Sequence, residues 1–543
     1  RRMSAPQGMD ALKAHAKQIL TLARAGDAIV IGKLRGSLPR LAHLENAAIS
    51  VEIKLADVQH AVARMHGAKS WAELKHTVEN AEPVQVQAQR FLHALREHDG
   101  PKSAEILERH PEIAKYNAHT AAAACDVEAL RSLLDIDPSL ATKKIPPNDS
   151  EPLIYAAGTL LPSLNPELHS ANTDCVRLLL QHGANPTAHI VYGDNHDQLF
   201  ATYFACAANN VGAVQLLLEA GADPNDAECV PHAAERDHRE CLELLLKFGA
   251  NLSDRYPYWD NTPLYFLAGH RENSPLGAPS ERGMQWLLEH GANPNVLSYV
   301  NEKNIAAPNR GEAPLHRIAL NGRDVHVARM LVEYGADVNA TRGDGRSAYA
   351  LALRTGNTPV AEYLLSVGAD TAGITPVDQL IAACVVADAP LARKILAMHP
   401  DLLSTFTDED RQALHQAAGD GKVETVQLMI ALGWSISAEG MWGGTPLHWA
   451  SWHGRPEVAR ALIALGAPIN VRDNMHGSSP IAWAAHGSVN SRSGHDDEYI
   501  AVIDQLLNAG ATREAAYNSS NEAPEQLGSR AVAAYLKQRE FSA

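Results

Sequence analysis

The side chains best suited to acid–base chemistry in this chain are two histidines and two carboxylates. Imidazole titrates near neutral pH, so His453 and His486 could exchange protons with a carboxylate such as Asp420 or Glu235. These four residues are the catalytic candidates if the chain is an enzyme. The run HDDE at 495–498 could supply metal ligands, but no HExxH or CxxC spacing accompanies it. We therefore expect no metal site.

Tryptophans are concentrated near the same histidines. Four of them fall in one short stretch, although aromatic residues make up only 5% of the chain. Such a group favours a binding role because exposed aromatic side chains anchor interfaces, while packing between neighbouring elements could absorb some of the rings. The full set of candidate binding residues is Trp442, Trp449, Trp452, His453, Trp483, His486, Tyr258, Trp259, Asp260, Phe266, Arg317 and Arg354.

A pattern of helix signals surrounds these residues. In the stretch GGTPLHWASWHGRPEVARALIALGAPIN (443–470), Thr445 can cap a helix and Pro446 suits its first position. Gly454 breaks this helix. Apolar residues then recur at helical spacing on a second helix, which ends at Gly466 in the left-handed cap position. The pattern predicts a helix, a turn, a second helix and an extended finger.

The same signals recur along most of the chain. Further copies of the TPLH-like start or the LLxxGA-like end lie at 175–186, 214–225, 241–251, 262–295, 313–339, 361–370, 413–434 and 479–511. With these motifs the chain resembles the ankyrin-repeat family over roughly residues 84–515. The stretch LADVQHAVARMHGAKSWAELKHTVE (55–79) is similar to the helical segment that precedes many bacterial-type ankyrin arrays.

The resemblance implies an all-α repeat fold. We expect an ankyrin-repeat solenoid of about 11–12 helix-turn-helix repeats with short finger hairpins and an N-terminal helical cap. Residues 1–82 are then the N-terminal helical cap segment, 83–512 the repeat array and 513–543 a C-terminal capping helix.

Repeat positions also imply roles for individual side chains. Histidine at the TPLH position, as in His316, His415 and His448, hydrogen-bonds between neighbouring fingers in the family. The residue after this histidine and the two residues before the glycine face the concave groove. Most of the candidate binding residues occupy these groove positions or the fingers.

Five insertions lengthen individual repeats beyond the usual length of about 33 residues. They lie between the two helices at 160–172, 269–282 and 486–498, and in fingers at 190–198 and 299–311. Insertions on one face of a repeat array often mark its binding face, whereas neutral loop growth is the alternative. Together they could close the groove into a walled pocket.

Charge and composition narrow the class of partner. The formal net charge is −16, so we expect no nucleic-acid partner, since binding to phosphates needs a basic face. No apolar run is long enough to span a membrane. The six cysteines form no paired motif and predict reduced, buried thiols. No leader sequence is visible after Arg1, and we expect a cytoplasmic protein, although a leader removed before Arg1 stays open.

These observations favour a binding scaffold that holds a protein partner or a smaller ligand on the concave face of an ankyrin solenoid. The alternative is an enzyme whose active site is built in the groove and walled by the inserted loops. No P-loop, dinucleotide-binding GxGxxG or GxSxG motif is present, so we expect no cofactor. A third hypothesis makes the basic N-terminal segment a docking module that the repeats position. The sequence fixes neither the partner nor the oligomeric state.

Overall fold

The computed structural model describes residues 9–66, 68–81, 83–192, 197–226, 228–256, 260–270, 277–300, 310–491, 494–539 and 541. Contacts divide the chain into two units. The first unit is Arg1–Ala233 with Glu240–Ala250, and the second unit is Ala234–Arg239 with Asn251–Ala543. Both consist of paired short helices joined by fingers, which confirms the predicted all-α repeat fold.

Five helices open the first unit and share a core of their own. They are α1 (Met9–Arg24), α2 (Ala28–Ser37), α3 (Asn46–Glu52), α4 (Leu55–Met65) and α5 (Trp71–Ala81), with a 3-10 turn at Pro39–Leu41. The Asp27 carboxylate caps α2 by accepting the backbone N–H groups of Ile29 and Val30. Buried side chains from Met9 to Val78 form one cluster among themselves. These helices therefore pack mainly on one another.

Helix pairs and one hairpin make up the rest of the first unit and its boundary. The helices are α6 (Val84–Arg96), α7 (Gly100–Arg109), α8 (Ala118–Ala123), α9 (Val127–Ile136), α10 (Pro152–Gly158), α11 (Leu161–Leu164), α12 (Leu168–Gln181), α13 (Ala201–Ala207) and α14 (Val211–Glu219), with α15 (Cys229–Glu235) and α16 (Arg239–Lys247) at the boundary. Strands β1 (His189–Tyr192) and β2 (Asp197–Phe200) pair antiparallel, with His189 opposite Phe200. Turns of 3-10 helix lie at Pro111–Lys115 and Pro138–Thr142.

The second unit repeats the same helix pair. Its helices are α17 (Pro263–Ala268), α18 (Gly277–Glu289), α19 (Pro314–Leu320), α20 (Val325–Glu333), α21 (Ala348–Thr355), α22 (Thr358–Ser366), α23 (Pro376–Val385), α24 (Ala389–Met398), α25 (Asp408–Gly419), α26 (Val423–Leu432), α27 (Pro446–Trp452), α28 (Pro456–Ala464), α29 (Pro480–Asn490), α30 (Asp496–Asn508), α31 (Arg513–Ala516), α32 (Pro524–Leu527) and α33 (Arg530–Leu536). Turns of 3-10 helix lie at Leu402–Thr405 and Met441–Gly443. Val532 and Leu536 of α33 join the main core, which buries the last helix on the repeats.

Buried histidines tie the inner helices α19, α25 and α27 to the next finger, as the family resemblance implies. The His448 ring donates from Nε2 to the Ser478 carbonyl oxygen at 3.1 Å and accepts the Thr445 N–H at Nδ1. His316 and His415 donate in the same way to Ala340 and Ala438, at 3.0 and 2.8 Å. Burial lowers the pKa of His316 and of His448 to about 4, so both rings stay neutral at physiological pH.

The insertions are more regular than their sequence predicts. The 160–172 insertion forms α11 and the start of α12, where Leu161 is buried and α11 packs on α7. In the 486–498 insertion, α29 extends to Asn490 and α30 begins at Asp496. The described part of both segments is therefore largely helical, and in the first insertion Leu161 and Leu168 contribute to the core. The 190–198 insertion is the β1–β2 hairpin. Residues 193–196, 271–276, 301–309 and 492–493 lie outside the described residues.

A network of buried charges joins repeats that are not neighbours in the second unit. Asp378 and Asp410 each bind both Arg346 and Arg354 with N–O distances of 2.7–2.9 Å. Arg342 reaches the Glu409 carboxylate, which lies two repeats further along the chain. Glu312 and Asp344 extend the same network, with Arg342 distances of 2.9 and 2.8 Å.

All six cysteines are free and buried, in agreement with the prediction. Burial raises the pKa of Cys125 and of Cys384 to about 12, so both are protonated at neutral pH. Within the described part of the chain, no helix combines the length and apolar character that a membrane span requires.

Replacing Asp410 by asparagine should destabilise the second unit by about 3–5 kcal/mol, because it leaves two buried guanidinium groups without one of their carboxylates. Burial alone would raise the pKa of Asp410, but the charge of Arg354 and the hydrogen bonds of Thr407 lower it. The difference from wild type, measured by urea unfolding, should therefore shrink below about pH 4. Asp408→Asn is the matched control, since its side chain is 96% exposed. Equal destabilisation by both variants would contradict this assignment.

The stability of the second unit should fall as the pH drops from 7.5 to 4.5. The folded pKa of His316 and of His448 lies near 4, below the unfolded value of about 6.5, so unfolding takes up protons in this range. The stabilisation is complete above pH 6.5, and each ring loses about 2 kcal/mol of it by pH 5. Urea midpoints against pH measure the slope, and His448→Asn should flatten it. The exposed His399→Asn is the control and should leave the slope unchanged. A pH-independent midpoint would rule out buried neutral histidines.

Candidate functional site

The inner helices of the second unit line a concave cavity of about 650 Å³. Helices α19, α21, α23, α25 and α27 supply its wall together with residues of the fingers. Five residues that the sequence predicts at groove positions lie on this wall: Arg317, Arg354, Gln416, Asp420 and Trp449. The repeat geometry thus brings together side chains that are far apart in the chain.

One end of the cavity holds a cation above an aromatic ring. The Arg317 guanidinium carbon lies 5.5 Å from the centre of the Tyr265 ring. No carboxylate pairs with Arg317 among the described residues. The Tyr265 hydroxyl donates to the buried Glu312 carboxylate, and burial followed by the Glu312 charge raises the pKa of this tyrosine. Arg317 is therefore the cation at this end that can take a ligand.

The middle of the cavity is occupied by the charge network. Arg354 was predicted as a binding residue, and it does line the cavity. Its two terminal nitrogens already donate to Asp378 at 2.9 Å and to Asp410 at 2.7 Å, and the residue is only 8% exposed. This side chain holds the wall in place and is a poor candidate for direct binding.

The opposite end of the cavity is polar and leads to the tryptophans. Asp420 and Gln416 are both exposed, and the Gln416 amide donates to the Asp420 carboxylate at 2.9 Å. Lys422 reaches back to the Thr355 carbonyl oxygen at 3.4 Å. Trp449 closes this end. A ligand here would meet hydrogen-bonding groups first and an indole face next.

A tryptophan cluster, consisting of Trp442, Trp449, Trp452 and Trp483, continues the cavity wall. The Trp442 and Trp449 rings are parallel within 1°, with centres 6.0 Å apart. The ring of Trp483 lies 6.3 Å from both and 5.9 Å from Trp452. Trp442 is 45% exposed, while Trp449 and Trp452 are partly exposed. Three indoles of the cluster are therefore open to contact.

The finger that carries Trp442 is held in a strained conformation. Trp442 has φ +61° and ψ 12°, in the left-handed region that bulky side chains rarely adopt. Tight backbone bonds support it, since Gly443 N–H donates to Gly440 and Gly440 N–H donates to Gly444. Strain of this kind persists only where the surroundings enforce it, and it is concentrated at functional sites.

Trp483 lies beneath the cluster and does not face the groove, which corrects its predicted binding role. It is only 5% exposed, and its indole N–H donates to the Asp473 carboxylate at 2.9 Å. Gly444 makes room for the ring, because a Cβ there would come within 2.8 Å of Trp483 Cη2. Since the neighbouring finger supplies the acceptor, the ring turns inward and supports the other indoles.

The proton-transfer candidates have separate surroundings. His453 lies 3.2 Å from the Ser491 hydroxyl, with its ring against Gly419, whereas the exposed His486 ring meets Trp452 edge-on at 5.3 Å. The Asp420 carboxylate accepts a hydrogen bond from Gln416. Glu235 belongs to a much earlier repeat, where it lies 3.4 Å from His270. No three histidine, cysteine or acidic side chains of the described residues are grouped to hold a metal ion.

A second patch of predicted binding residues, Tyr258, Trp259, Asp260 and Phe266, makes packing contacts where the structure describes it. Asp260 is 6% exposed and lies 3.4 Å from the Arg255 guanidinium. Phe266 packs edge-on against His270 at 5.0 Å. Tyr258 and Trp259 lie outside the described residues. The part of this patch that the structure describes is a set of packed contacts.

The fold and the groove define a helical-repeat protein. Residues 118–228, 280–373 and 380–473 match the family model for ankyrin repeats. These segments cover more than half of the chain, which therefore belongs to the ankyrin-repeat family. Ankyrin repeats are generally protein-interaction scaffolds.

Two individual proteins resemble parts of the chain. The transient receptor potential cation channel subfamily A member 1 of Homo sapiens is 25% identical over 400 residues, which cover 65% of this chain and 34% of that protein. The chain thus spans about a third of the length of this relative. The crystal structure of the human ASB11 ankyrin repeat domain is 24% identical and covers 47% of this chain and 99% of that one, with a TM-score of 0.35.

Gly444→Ala should displace the Trp483 ring and destabilise the second unit by about 1–3 kcal/mol, because the added methyl group overpacks a buried site. The near-ultraviolet circular dichroism of the tryptophan cluster should change with it. Gly373→Ala is the matched control, since a Cβ there meets open space and should change stability by less than about 0.5 kcal/mol. Unchanged stability and spectrum in Gly444→Ala would show that Trp483 is not wedged beneath the cluster.

Proposed function

We propose that the chain is a protein-binding scaffold that holds an extended segment of a partner along the groove of the second unit. The segment would run from Arg317, past Gln416 and Asp420, to the exposed indoles of Trp442, Trp449 and Trp452. The observation that carries the proposal is the stacked Trp442–Trp449 pair at the edge of the cavity. Membership in a family of interaction scaffolds supports the same function.

The two parts of the groove suit two parts of such a segment. Main-chain N–H and C=O groups of an extended peptide need hydrogen-bonding partners, and the exposed Gln416 and Asp420 side chains offer both kinds. An apolar side chain would bury its surface against the indoles, where rigid aromatic anchors give large contact area at low entropic cost. The polar wall would then set the register, and the tryptophans would provide most of the affinity.

The strain at Trp442 supports binding over a purely structural role. Left-handed φ values cost of order 1–3 kcal/mol in non-glycine residues, and Trp442 adopts one while leaving 45% of its surface exposed. Core packing alone would favour burial of the ring. A partner that covers the indole would offset the strain.

The arrangement of the candidate catalytic residues does not support the alternative that the chain is an enzyme. Of His453, His486, Asp420 and Glu235, only Asp420 lines the cavity, and the described part of the insertion at 486–498 is largely helical. We therefore propose no second function.

Replacing Trp449 and Trp452 together by alanine should weaken partner binding at least roughly thirtyfold, since tryptophan anchors contribute about 2 kcal/mol or more. Position-specific photo-crosslinking detects this loss of partner binding. A benzophenone amino acid at the exposed Gln416 should capture a partner from source-cell lysate, and the double substitution should abolish this adduct.

Two controls make this experiment decisive. The same crosslinker at the exposed Lys394, on the outer helix α24, should give no such adduct. Tyr334→Ala, a substitution of an exposed ring outside the groove, should leave capture at Gln416 unchanged. Urea unfolding must show that the double variant is folded. Equal capture from Gln416 and Lys394, or full capture by the folded double variant, would refute groove binding.

A further inference from the structure

A second cavity, of about 610 Å³, lies within the first unit. Helices α6, α10 and α13 and the β1–β2 hairpin bound it. Its wall contains the aromatic side chains Tyr155, Tyr203 and Phe204 and the cation Arg96. Its volume falls within the range of about 300–1,000 Å³ that is typical of small-ligand sites. The groove of the second unit is not involved.

We infer that this cavity binds the carboxylate group of a molecule with a compact apolar body. Arg96 and Tyr155 would hold the carboxylate, while Tyr203 and Phe204 would contact the body. The inference is independent of the protein-binding function proposed for the second unit, because it rests on a different cavity and on different residues.

The apolar part of the cavity depends on the inserted finger. Ile190 on β1 and Leu199 on β2 both line the cavity, facing Ile154 from α10. Phe204 packs closely on Gly158, where a Cβ would come within 3.1 Å of the Phe204 Cβ. Tyr203 and Phe204 meet edge to face with centres 5.0 Å apart. The insertion therefore supplies a wall that an ordinary short finger would lack.

The polar part of the cavity is a guanidinium next to a buried phenol. Tyr155 is 4% exposed, and its hydroxyl makes no hydrogen bond of good geometry among the described residues, with the Arg96 and Ser150 side chains close to it. Burial raises the pKa of Tyr155, while the nearby charge of Arg96 opposes this effect. A buried hydroxyl without a partner is unfavourable, so an oxygen acceptor brought by a ligand would stabilise it.

Charges at the cavity favour a single negative group. The Arg96 guanidinium lies 3.5 Å from His93 Nδ1, and no carboxylate pairs with it within the described ranges. Glu97 is exposed at the rim, 3.9 Å from His93 Nδ1, and His98 contacts the Arg96 carbonyl oxygen. These histidines are the other titratable groups on the wall that carry positive charge when protonated.

One guanidinium among apolar walls can balance one negative charge. A planar carboxylate matches the fork of an arginine and accepts a further hydrogen bond from a phenol. A doubly charged phosphate would leave one charge without a partner in an apolar cavity, which is costly. The chemistry thus points to a monocarboxylate, either a free organic acid or the C-terminus of a peptide with an apolar last residue.

Isothermal titration of the full chain tests this inference with matched probes. We expect 4-phenylbutyrate to bind at least tenfold more tightly than its neutral amide, 4-phenylbutyramide. Arg96→Gln should abolish this preference, and Arg96→Lys should restore only part of it, since lysine keeps the charge but not the planar fork. Tyr155→Phe should weaken binding about tenfold, because it removes one hydrogen bond to a charged group.

Controls separate binding from folding and identify the source of the carboxylate. Arg109→Gln, an exposed substitution on α7, and Trp449→Ala, in the second unit, should leave the titration unchanged. Acetyl-Gly-Gly-Phe with a free C-terminus, compared with its amide, reports on peptide termini. Tighter binding of the tripeptide than of phenylbutyrate assigns the site to a chain terminus, and the reverse order assigns it to a free acid. Equal binding of acid and amide, no binding at millimolar concentration, or an unaffected Arg96→Gln variant would overturn the inference.

Discussion

The buried arginine–carboxylate network is the constraint on which the second unit depends. Asp378 and Asp410 both occupy the third helical position in a threonine capping box, and both bind Arg346 and Arg354. Each carboxylate also accepts the N–H and hydroxyl of the threonine three residues before it, so both of its oxygens are satisfied. A buried ion pair is tolerated only when its desolvation is compensated in this way. The contact of Arg342 with Glu409 skips a repeat, and both residues line the cavity.

The cavity and the tryptophan cluster depend on this network. The network forms the rigid middle of the wall, which leaves Arg317 at one end and Asp420 with Trp449 at the other end. At the cluster, Asp473 fixes Trp483 from below, and Trp483 supports the rings that face solvent. Strain at Trp442 can persist only on such a support. The polar network thus gives the groove its shape, while the indoles give it a surface for contact.

Sequence patterns predicted the repeats well, because helix signals, caps and glycine ends are local. The bonds of His316, His415 and His448 agree with the role that the resemblance to ankyrin repeats implies for the TPLH histidine. The charge network was missed, since Arg354 and Asp410 are 56 residues apart and only the folded repeats bring them together. Two Thr-x-x-Asp capping boxes, at Thr375 and Thr407, were the local signal that could have indicated an extra helical turn there. The prediction that Trp483 faces the groove is wrong, because its repeat position does not reveal that a neighbouring finger supplies a hydrogen-bond acceptor for the indole N–H.

Because all six cysteines are buried, the rate of thiol modification measures how often individual repeats open. A thiol with a pKa of about 12 exposes almost no thiolate at neutral pH, so the folded chain should be inert to alkylating reagents and mild oxidants. Reaction then requires local or global unfolding, and its rate reports the population of opened molecules. Cys384 is the sole cysteine of the second unit, whereas the other five belong to the first. Measuring the alkylation rate at each cysteine would therefore report the local opening of each unit separately, without any engineered label.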